Sequence, residues 1–509
     1  MKKSLVLLAV LLFAFTTIFV GCAKNEGTSD PGGSDEVNAS LTAVAALDTT
    51  VLDPTLATMC DPLIAGSLYD TLVKFDKDYN IVPRLADSWV EAEDHLSVTF
   101  HINDEATFHD GSKVTAQDVA YSINKLFATP SGASLMLFIA KVEAVDDSHV
   151  RIDKTNIDTQ LLNVLASYMY VVPESLASDE AAFSKSPIGS GPYKFVETES
   201  DNTVKMVVNE SYYLGAPEIR ELSVKAPIDP STAVIALQTE EIDLYQGILS
   251  SNYAEISGID TLVLKKEGGF FGRAVVLTGE VFANEKLREA VYRAINAENA
   301  LAVAAENDGE VTDTIFPAMT VPDYTKEIKV NDRYNPELAA QLLKESGYDA
   351  TVPINLPITA QYALDAQSIQ ADLLSIGLTL NIEQVDINTW NAKMLGGECP
   401  IVLTDWGGQT ASAYDMVNLF TTQGDPYQLY SKTKIPGLDD LMLKVSQETD
   451  PAVRKQDLAS AFTLLVDSHK IVPLYQKNSN AVISSRFDPD SVIGIVLMQI
   501  NIGDMKLQK

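Results

Sequence analysis

Two periodicities alternate along the chain. In Leu96-Ser97-Val98-Thr99-Phe100-His101-Ile102 every second side chain is apolar, the pattern of a half-buried strand, with His95 and His101 on its polar face. Thr115-Ala116-Gln117-Asp118 has the form of a capping box and opens a helix striped by Val119, Ile123, Leu126 and Phe127, which Thr129-Pro130 ends. Leu287, Ala290, Val291, Ala294 and Ile295 recur at helical spacing, as do Leu338, Leu342 and Leu343. Ala366, Ile369, Leu373 and Ile376 predict a further helix closed by Gly377, and Leu378, Leu380 and Ile382 then alternate as a strand. Asp386-Ile387-Asn388 reads as strand ahead of Trp390, and Ile401 to Thr404 as a short buried strand that stops at Asp405-Trp406-Gly407-Gly408-Gln409. Helix and strand alternating throughout predict an α/β protein. There is no short-period repeat and no long linker inside the body.

The amino terminus changes the picture. Lys2 and Lys3 precede an almost wholly apolar run from Leu5 to Val20, and Gly21-Cys22 follows. That is the layout of a secretory signal peptide, too short for a comfortable transmembrane span. A small residue before Cys resembles a bacterial lipobox, with Phe19 where Leu is usual, so Cys22 is the expected lipidation site. The alternative is an ordinary signal peptide with an incidental Cys. Residues 22–37 hold too little apolar surface to fold and read as a lipidated Cys and tether. Cleavage after residue 21 leaves 488 of 509 residues, enough for two or three domains. Losing the two lysines takes the net charge from −33 to −35, which repels phosphate backbones and excludes nucleic acid as a partner. Cys60 and Cys399 are too few for a disulfide framework and are expected as buried thiols rather than one bridge.

Catalytic chemistry is sought and not found. There is no phosphate-cradling glycine loop, no HExxH, and Gly189-Ser190-Gly191 has the wrong spacing for a nucleophile elbow. None of the five histidines, at 95, 101, 109, 149 and 469, lies three to five residues from another, so no local metal motif exists. With 70 Asp and Glu, a pair of carboxylates carries no information.

Several segments then point one way: Tyr69-Asp70-Thr71-Leu72-Val73, Val82-Pro83-Arg84-Leu85-Ala86-Asp87-Ser88-Trp89, Phe108-His109-Asp110-Gly111, Pro187-Ile188-Gly189-Ser190-Gly191-Pro192-Tyr193-Lys194-Phe195, Leu237-Gln238-Thr239-Glu240-Glu241-Ile242-Asp243 and Leu287-Arg288-Glu289-Ala290-Val291. Together they resemble the extracytoplasmic solute-binding proteins of oligopeptide, dipeptide and nickel ABC importers (family 5), from about residue 40 to the carboxyl end. Locally these motifs read as scaffold. Asp110-Gly111 makes a turn, Gly189, Gly191 and Pro192 shape a chain crossing, and Asp243 ends a helix. The resemblance implies a two-lobed periplasmic-binding-protein fold, with a hinge and a ligand cleft between the lobes. Lobe I would take residues 38–76, 190–267 and 477–509, with an extra subdomain at 77–189; lobe II would take 268–476. It also implies a monomer without cofactor, metal or enzymatic activity. Such a protein is anchored outside the cytoplasm by its lipid and carries a peptide or peptide-like solute to permease subunits.

Cleft residues are expected on both sides. Trp406 offers a flat apolar platform beyond a strand's carboxyl end, or is a core tryptophan, while Gly407 and Gly408 let backbone approach a ligand. In peptide-binding relatives this loop resembles Trp-x-x-Asp, whose Asp pairs with the peptide's α-ammonium group. Here Gln409 stands in that place and supplies no counter-charge; Asp405 and Asp415 are the nearby substitutes. From lobe I, Met59, Cys60 and Asp61 are candidates, with core thiol and helix cap as the alternatives for the last two. Phe271 is placed to pack on ligand and Arg273 to meet a carboxylate, near the first hinge crossing. Trp390 is read as lobe II packing. Two other functions are open: a surface sensor or chaperone-like binder on the same fold, and an extracellular hydrolase.

The lipobox carries a direct expectation. Cys22→Ser removes the only thiol that lipid can modify, so the protein should move from the membrane to the soluble or secreted fraction. Fractionation that finds the variant still membrane-bound after a high-salt wash would refute it.

Overall fold

The computed structural model describes residues 39–509 apart from 57–59, 79, 130–138, 156, 158–160, 270, 317–332, 408–412, 425–429, 431–433 and 496–498, and apart from the side chains of Trp406, Asp415 and Pro451. The chain builds two principal sheets. The larger has seven strands in the order Leu262–Glu267, Ser479–Ser484, Leu244–Gln246, Ser40–Val44, Glu221–Lys225, Val204–Val208 and Tyr193–Thr198. Its central strand Ser40–Val44 runs parallel to both neighbours, and Leu41 and Ala43 face one core with Tyr69, Tyr193 and Phe487. The second sheet has four strands in the order Gly309–Val311, Ile471–Lys477, Phe271–Leu277 and Ile401–Gly407. It sits in a separate core, with Leu287 and Val291 of helix Glu285–Ala294 and Ile369 and Leu373 of helix Ala363–Ser375. A third core, from Leu72 to Val171, fills the space behind the antiparallel sheet Ala86–Glu91, Ser97–Ile102, His149–Lys154 and Ile139–Ala144.

The two principal sheets are joined by one ribbon. Strand Leu262–Glu267 pairs antiparallel with Ser479–Ser484, ending at Glu267 opposite Ser479. Strand Phe271–Leu277 pairs antiparallel with Ile471–Lys477, starting from Gly272 opposite Gln476. The same two chain segments therefore leave one sheet together and enter the other together. A Cβ on Gly269 would lie 1.7 Å from the Lys477 carbonyl oxygen, so only glycine allows the segments this close. Beside them sits Asp308, 5% exposed. It accepts from the Tyr253 hydroxyl at 2.6 Å and from Asn478 Nδ2 at 3.0 Å, with Lys266 Nζ at 3.6 Å.

Most predicted elements are present. Thr115 and Asp118 cap each other reciprocally at helix Ala116–Phe127, and Gly377 takes a left-handed φ of 86° after helix Ala363–Ser375. Cys60 and Cys399 are buried and are not joined in a disulfide. Three expectations are corrected. Asp386-Ile387-Asn388 is a helix start, because the Asp386 carboxylate accepts from the amides of Asn388 and Thr389 and caps helix Ile387–Leu395. His95 lies in a turn with φ 57°, and the strand begins at Ser97. Asp243 ends no helix: it accepts from the Thr42 amide at 2.8 Å and from Arg486 Nη2 at 2.6 Å, tying the sheet's central strand to the carboxyl-terminal segment. Among the described residues no helix is long and apolar enough to cross a membrane.

The two most distinctive sequence motifs meet. His109 Nδ1 accepts from the Gly189 amide at 3.2 Å and Nε2 donates to the Gly191 carbonyl at 3.0 Å. The His109 amide donates to the Gly189 carbonyl at 2.8 Å, and Lys194 Nζ donates to the His109 carbonyl at 3.0 Å. A Cβ on Gly189 would lie 1.9 Å from the Leu68 carbonyl oxygen, so the crossing packs directly on the chain leaving helix Pro62–Leu68.

This lock is acid-sensitive. Burial pushes the imidazole down to about 4, with Lys194 nearby acting the same way. Between about 6.5 and that value the unfolded chain takes up a proton that the folded chain refuses, so stability falls as pH falls. The contribution at pH 4.5 is about 2 kcal/mol. His109→Gln keeps an acceptor and a donor but does not titrate. Denaturant unfolding at pH 7 and pH 4.5 should show the wild type losing more stability than the variant by about that amount; equal losses would contradict the role given to His109.

Candidate functional site

The candidate site lies where the four-stranded sheet meets the crossing ribbon. Strand Ile401–Gly407 does not stop at Thr404. It continues through Asp405 and Trp406, with Phe271 opposite Gly407, Gly272 opposite Trp406 and Arg273 opposite Asp405. A full-length partner strand supplies hydrogen bonds to residues whose own propensity is weak, so pairing overrides the local signal. Trp406 is thus held by its backbone inside a ladder, not in a loop beyond it. The strand ends at Gly407, opposite Phe271.

A buried polar cluster anchors that strand end. Arg273, with a side chain 14% exposed, sets Nε 2.7 Å from Asp405 Oδ1 and Nη1 2.9 Å from Asp365 Oδ2. Its guanidinium lies 4.5 Å from the Tyr362 ring centre and 5.9 Å from that of Tyr475. The Tyr475 hydroxyl donates to Asp365 Oδ1 at 2.7 Å, and the Tyr362 hydroxyl approaches Asp405 Oδ2 at 3.4 Å. Burial pushes the Asp365 carboxyl up while Arg273 pulls it down. Burial also opposes the charge on Arg273, and the two carboxylates more than offset it. The cluster ties three elements together: strand Phe271–Leu277, strand Ile401–Gly407 and helix Ala363–Ser375. Arg273 therefore meets carboxylates of its own chain. Phe271 is 49% exposed at the start of its strand, beside Gly407.

On the other side, Asp61 is wholly buried and caps helix Pro62–Leu68. Its Oδ1 accepts from the Leu63 amide at 2.9 Å, and its Oδ2 from the Ala46 and Leu47 amides at 2.8 and 2.9 Å. Burial raises its carboxyl pKa and those amides oppose the rise. Cys60 is 7% exposed in the same core, and burial pushes its thiol well up, which keeps it neutral. Both residues take the structural alternatives foreseen for them, cap and core thiol. Trp390 packs at the edge of the core of the four-stranded sheet, its indole donating to the Pro357 carbonyl at 3.2 Å. Met59, Gly408, Gln409 and Cys22 lie outside the described residues, as do the side chains of Trp406 and Asp415. Among the described residues no group of three or more His, Cys, Asp or Glu could hold a metal ion.

Sequence reasoning missed Tyr362, Asp365 and Tyr475. Each carries only the signal of an ordinary helix or strand position, and their convergence spans more than a hundred residues between Asp365 and Tyr475.

Comparison with known proteins gives the arrangement its context. The chain is 27% identical over 443 residues to the glutathione-binding protein GsiB of Pectobacterium atrosepticum, covering 82% of this chain and 85% of that one. Its fold matches NikA of Brucella suis, solved with Fe(III)-EDTA, at a TM-score of 0.80 and 21% identity, over 92% of this chain and 100% of that one. It also matches the periplasmic binding protein DppA of Helicobacter pylori, solved with the peptide STSA, at 0.74 and 23%, over 92% and 98%. Residues 80–428 match the family described as bacterial extracellular solute-binding proteins, family 5. These structural neighbours are two-lobed periplasmic binding proteins, and the chain belongs to family 5 of the bacterial extracellular solute-binding proteins, the substrate-binding components of ABC importers.

Proposed function

We propose that this protein captures a peptide-like solute by closing two lobes about the ribbon at residues 267–271 and 477–479, and that it holds solutes whose α-ammonium group is blocked or displaced. The ribbon is the observation that carries the first part. Two adjacent segments, glycine-dependent at Gly269, are the only strand connections between the principal sheets among the described residues. Hinge closure around ligand needs just such a pair of short crossings. The lobe boundaries follow: lobe I at 38–76, 190–267 and 477–509, its subdomain at 77–189, and lobe II at 268–476. The separate cores support this division with small adjustments. Leu72 and Val73 pack with the subdomain, whereas Val172, Ala177 and Phe183 pack with lobe I. The protein is a monomer tethered through Cys22 outside the cytoplasm and performs no chemistry on its cargo.

The ligand class rests on charge. A free peptide brings an ammonium group into a closed cleft, and an unpaired buried charge costs several kcal/mol. Gln409 stands where the family resemblance expects Asp. Asp405, the nearest substitute, already lies 2.7 Å from Arg273. The relative named for glutathione supports the same reading. In glutathione the glutamate is joined through its side-chain carboxyl, so its ammonium group sits away from the first peptide bond.

Calorimetry with glutathione, its α-linked Glu-Cys-Gly isomer and N-acetylated tripeptides tests the proposal. The γ-linked or acetylated forms should bind more tightly than the free α-peptide. Gln409→Asp should strengthen the α-peptide about tenfold, equivalent to about 1.4 kcal/mol. Tight α-peptide binding that acetylation abolishes would refute the ligand class. A true ligand should also reduce the radius of gyration in small-angle scattering and raise Tm, since it binds the folded state alone. Binding without compaction would instead refute the hinge.

A further inference from the structure

The subdomain sheet breaks its own alternation at one end. Along Ala86–Glu91, Trp89 and Glu91 share a face, with Glu91 opposite Val98 and Trp89 opposite Phe100. Along His149–Lys154, Val150, Ile152 and Lys154 share that same inward face, with Ile152 opposite Val98. The face is apolar except at its end, where Glu91 stands opposite Val98 and Lys154 follows two residues beyond Ile152 on its own strand. Meanwhile Val90, on the outward face, is 72% exposed. Lys154 is 8% exposed and its Nζ lies 2.7 Å from Glu91 Oε1. A lysine in a core position costs side-chain entropy and desolvation that an apolar residue would not. Positions that break the local pattern mark functional sites more often than others.

The charged end of this face opens onto a recess of about 330 Å³. Trp89, Val98, Leu161 and Leu162 wall it together with Asn163, and Lys154 and Glu91 also line it. Its size is at the lower end of the range of about 300–1,000 Å³ that small-molecule sites occupy, and a mostly apolar lining with one polar corner is their usual chemistry. The ammonium group has three donors and Glu91 takes one of them. Glu91 in turn offers its second oxygen, which lies 3.0 Å from His95 Nδ1. The corner is thus a matched donor and acceptor with no net charge of its own. An anion would meet Glu91, and a cation would meet Lys154. A hydroxyl accepts from one and donates to the other.

We propose that this recess is a second small-molecule site, separate from the interlobe cleft, that takes an uncharged molecule with an apolar or aromatic body and one hydroxyl group. Lys154 donates to the hydroxyl oxygen, Glu91 accepts its proton in a hydrogen bond, and Trp89 packs on the body. Occupancy would stiffen the subdomain sheet at the rung where its ladder ends.

The test uses the full chain labelled with 5-fluorotryptophan, whose three residues Trp89, Trp390 and Trp406 report separately by fluorine NMR. The probes share one shape and differ in charge: benzyl alcohol, benzoate and benzylamine. Benzyl alcohol should shift the Trp89 resonance saturably and leave Trp390 and Trp406 unmoved, with the charged analogues at least tenfold weaker. Lys154→Met should weaken benzyl alcohol about tenfold. Leu161→Trp fills the recess and should abolish the shift while both polar partners remain. Thermal melts of each variant check that the fold survives. A Trp89 resonance unmoved by all three probes, equal binding of the three, or undiminished binding to Leu161→Trp would each overturn the proposal. A shift confined to Trp406 would place the binding in the interlobe cleft and overturn it as well.

Discussion

The close approach of Gly269 to the Lys477 carbonyl is the constraint on which the rest of the molecule depends. At 1.7 Å from that oxygen there is no room for a Cβ, so the two crossing segments lie against each other only because residue 269 has none. Contact sets them side by side as one ribbon. The spans are unequal, from Glu267 to Phe271 on one strand and from Lys477 to Ser479 on the other. Unequal spans interrupt the ladder, and an interrupted ladder bends where a continuous one resists. Asp308 stands at that interruption and takes Tyr253 and Lys266 from the first sheet's side and Asn478 from the ribbon itself. A buried carboxylate with several donors holds a chosen geometry firmly, since losing one donor leaves charge poorly solvated.

From this pivot the second sheet carries its strand ends as a rigid platform. The Arg273 cluster is why the platform is rigid. One guanidinium joins two strands and a helix through Asp365 and Asp405, and two tyrosine rings cover it. Rigid elements that present short variable segments are the general solution for binding sites, because a loop is only as well placed as the strand it leaves. Trp406 inside the ladder, one residue from its end, fits that logic better than a tryptophan beyond it.

How much of this was legible in the sequence follows the range of each interaction. Capping at Thr115 and Asp118 is settled within four residues, and the pattern alone predicts it. The family resemblance rests on segments that the fold brings together, as His109 with Gly189 and Gly191 shows. What escaped was either too short or too distant. Three residues at 386–388 do not distinguish strand from capped helix start until the carboxylate's partners are known. Asp243 reads as a helix end until Thr42 and Arg486 arrive from opposite ends of the chain. Arg273 resembles a free cation in sequence, and its two carboxylates lie 92 and 132 positions away.

The motifs that identify the family and the residues that choose the cargo answer to different physics. His109, Gly189 and Gly191 are confined by backbone contact: a methyl group at residue 189 would strike the Leu68 carbonyl, and a proton on Nδ1 would face the Gly189 amide. A side chain at residue 189 breaks this packing whatever the ligand. Cleft residues carry no such burden. A substitution beyond a strand end leaves the ladder behind it intact. The ribbon, the His109 lock and the Arg273 cluster hold the scaffold by contacts within the chain. Relatives named for glutathione and solved with a peptide or an iron chelate on the same scaffold are what that separation permits.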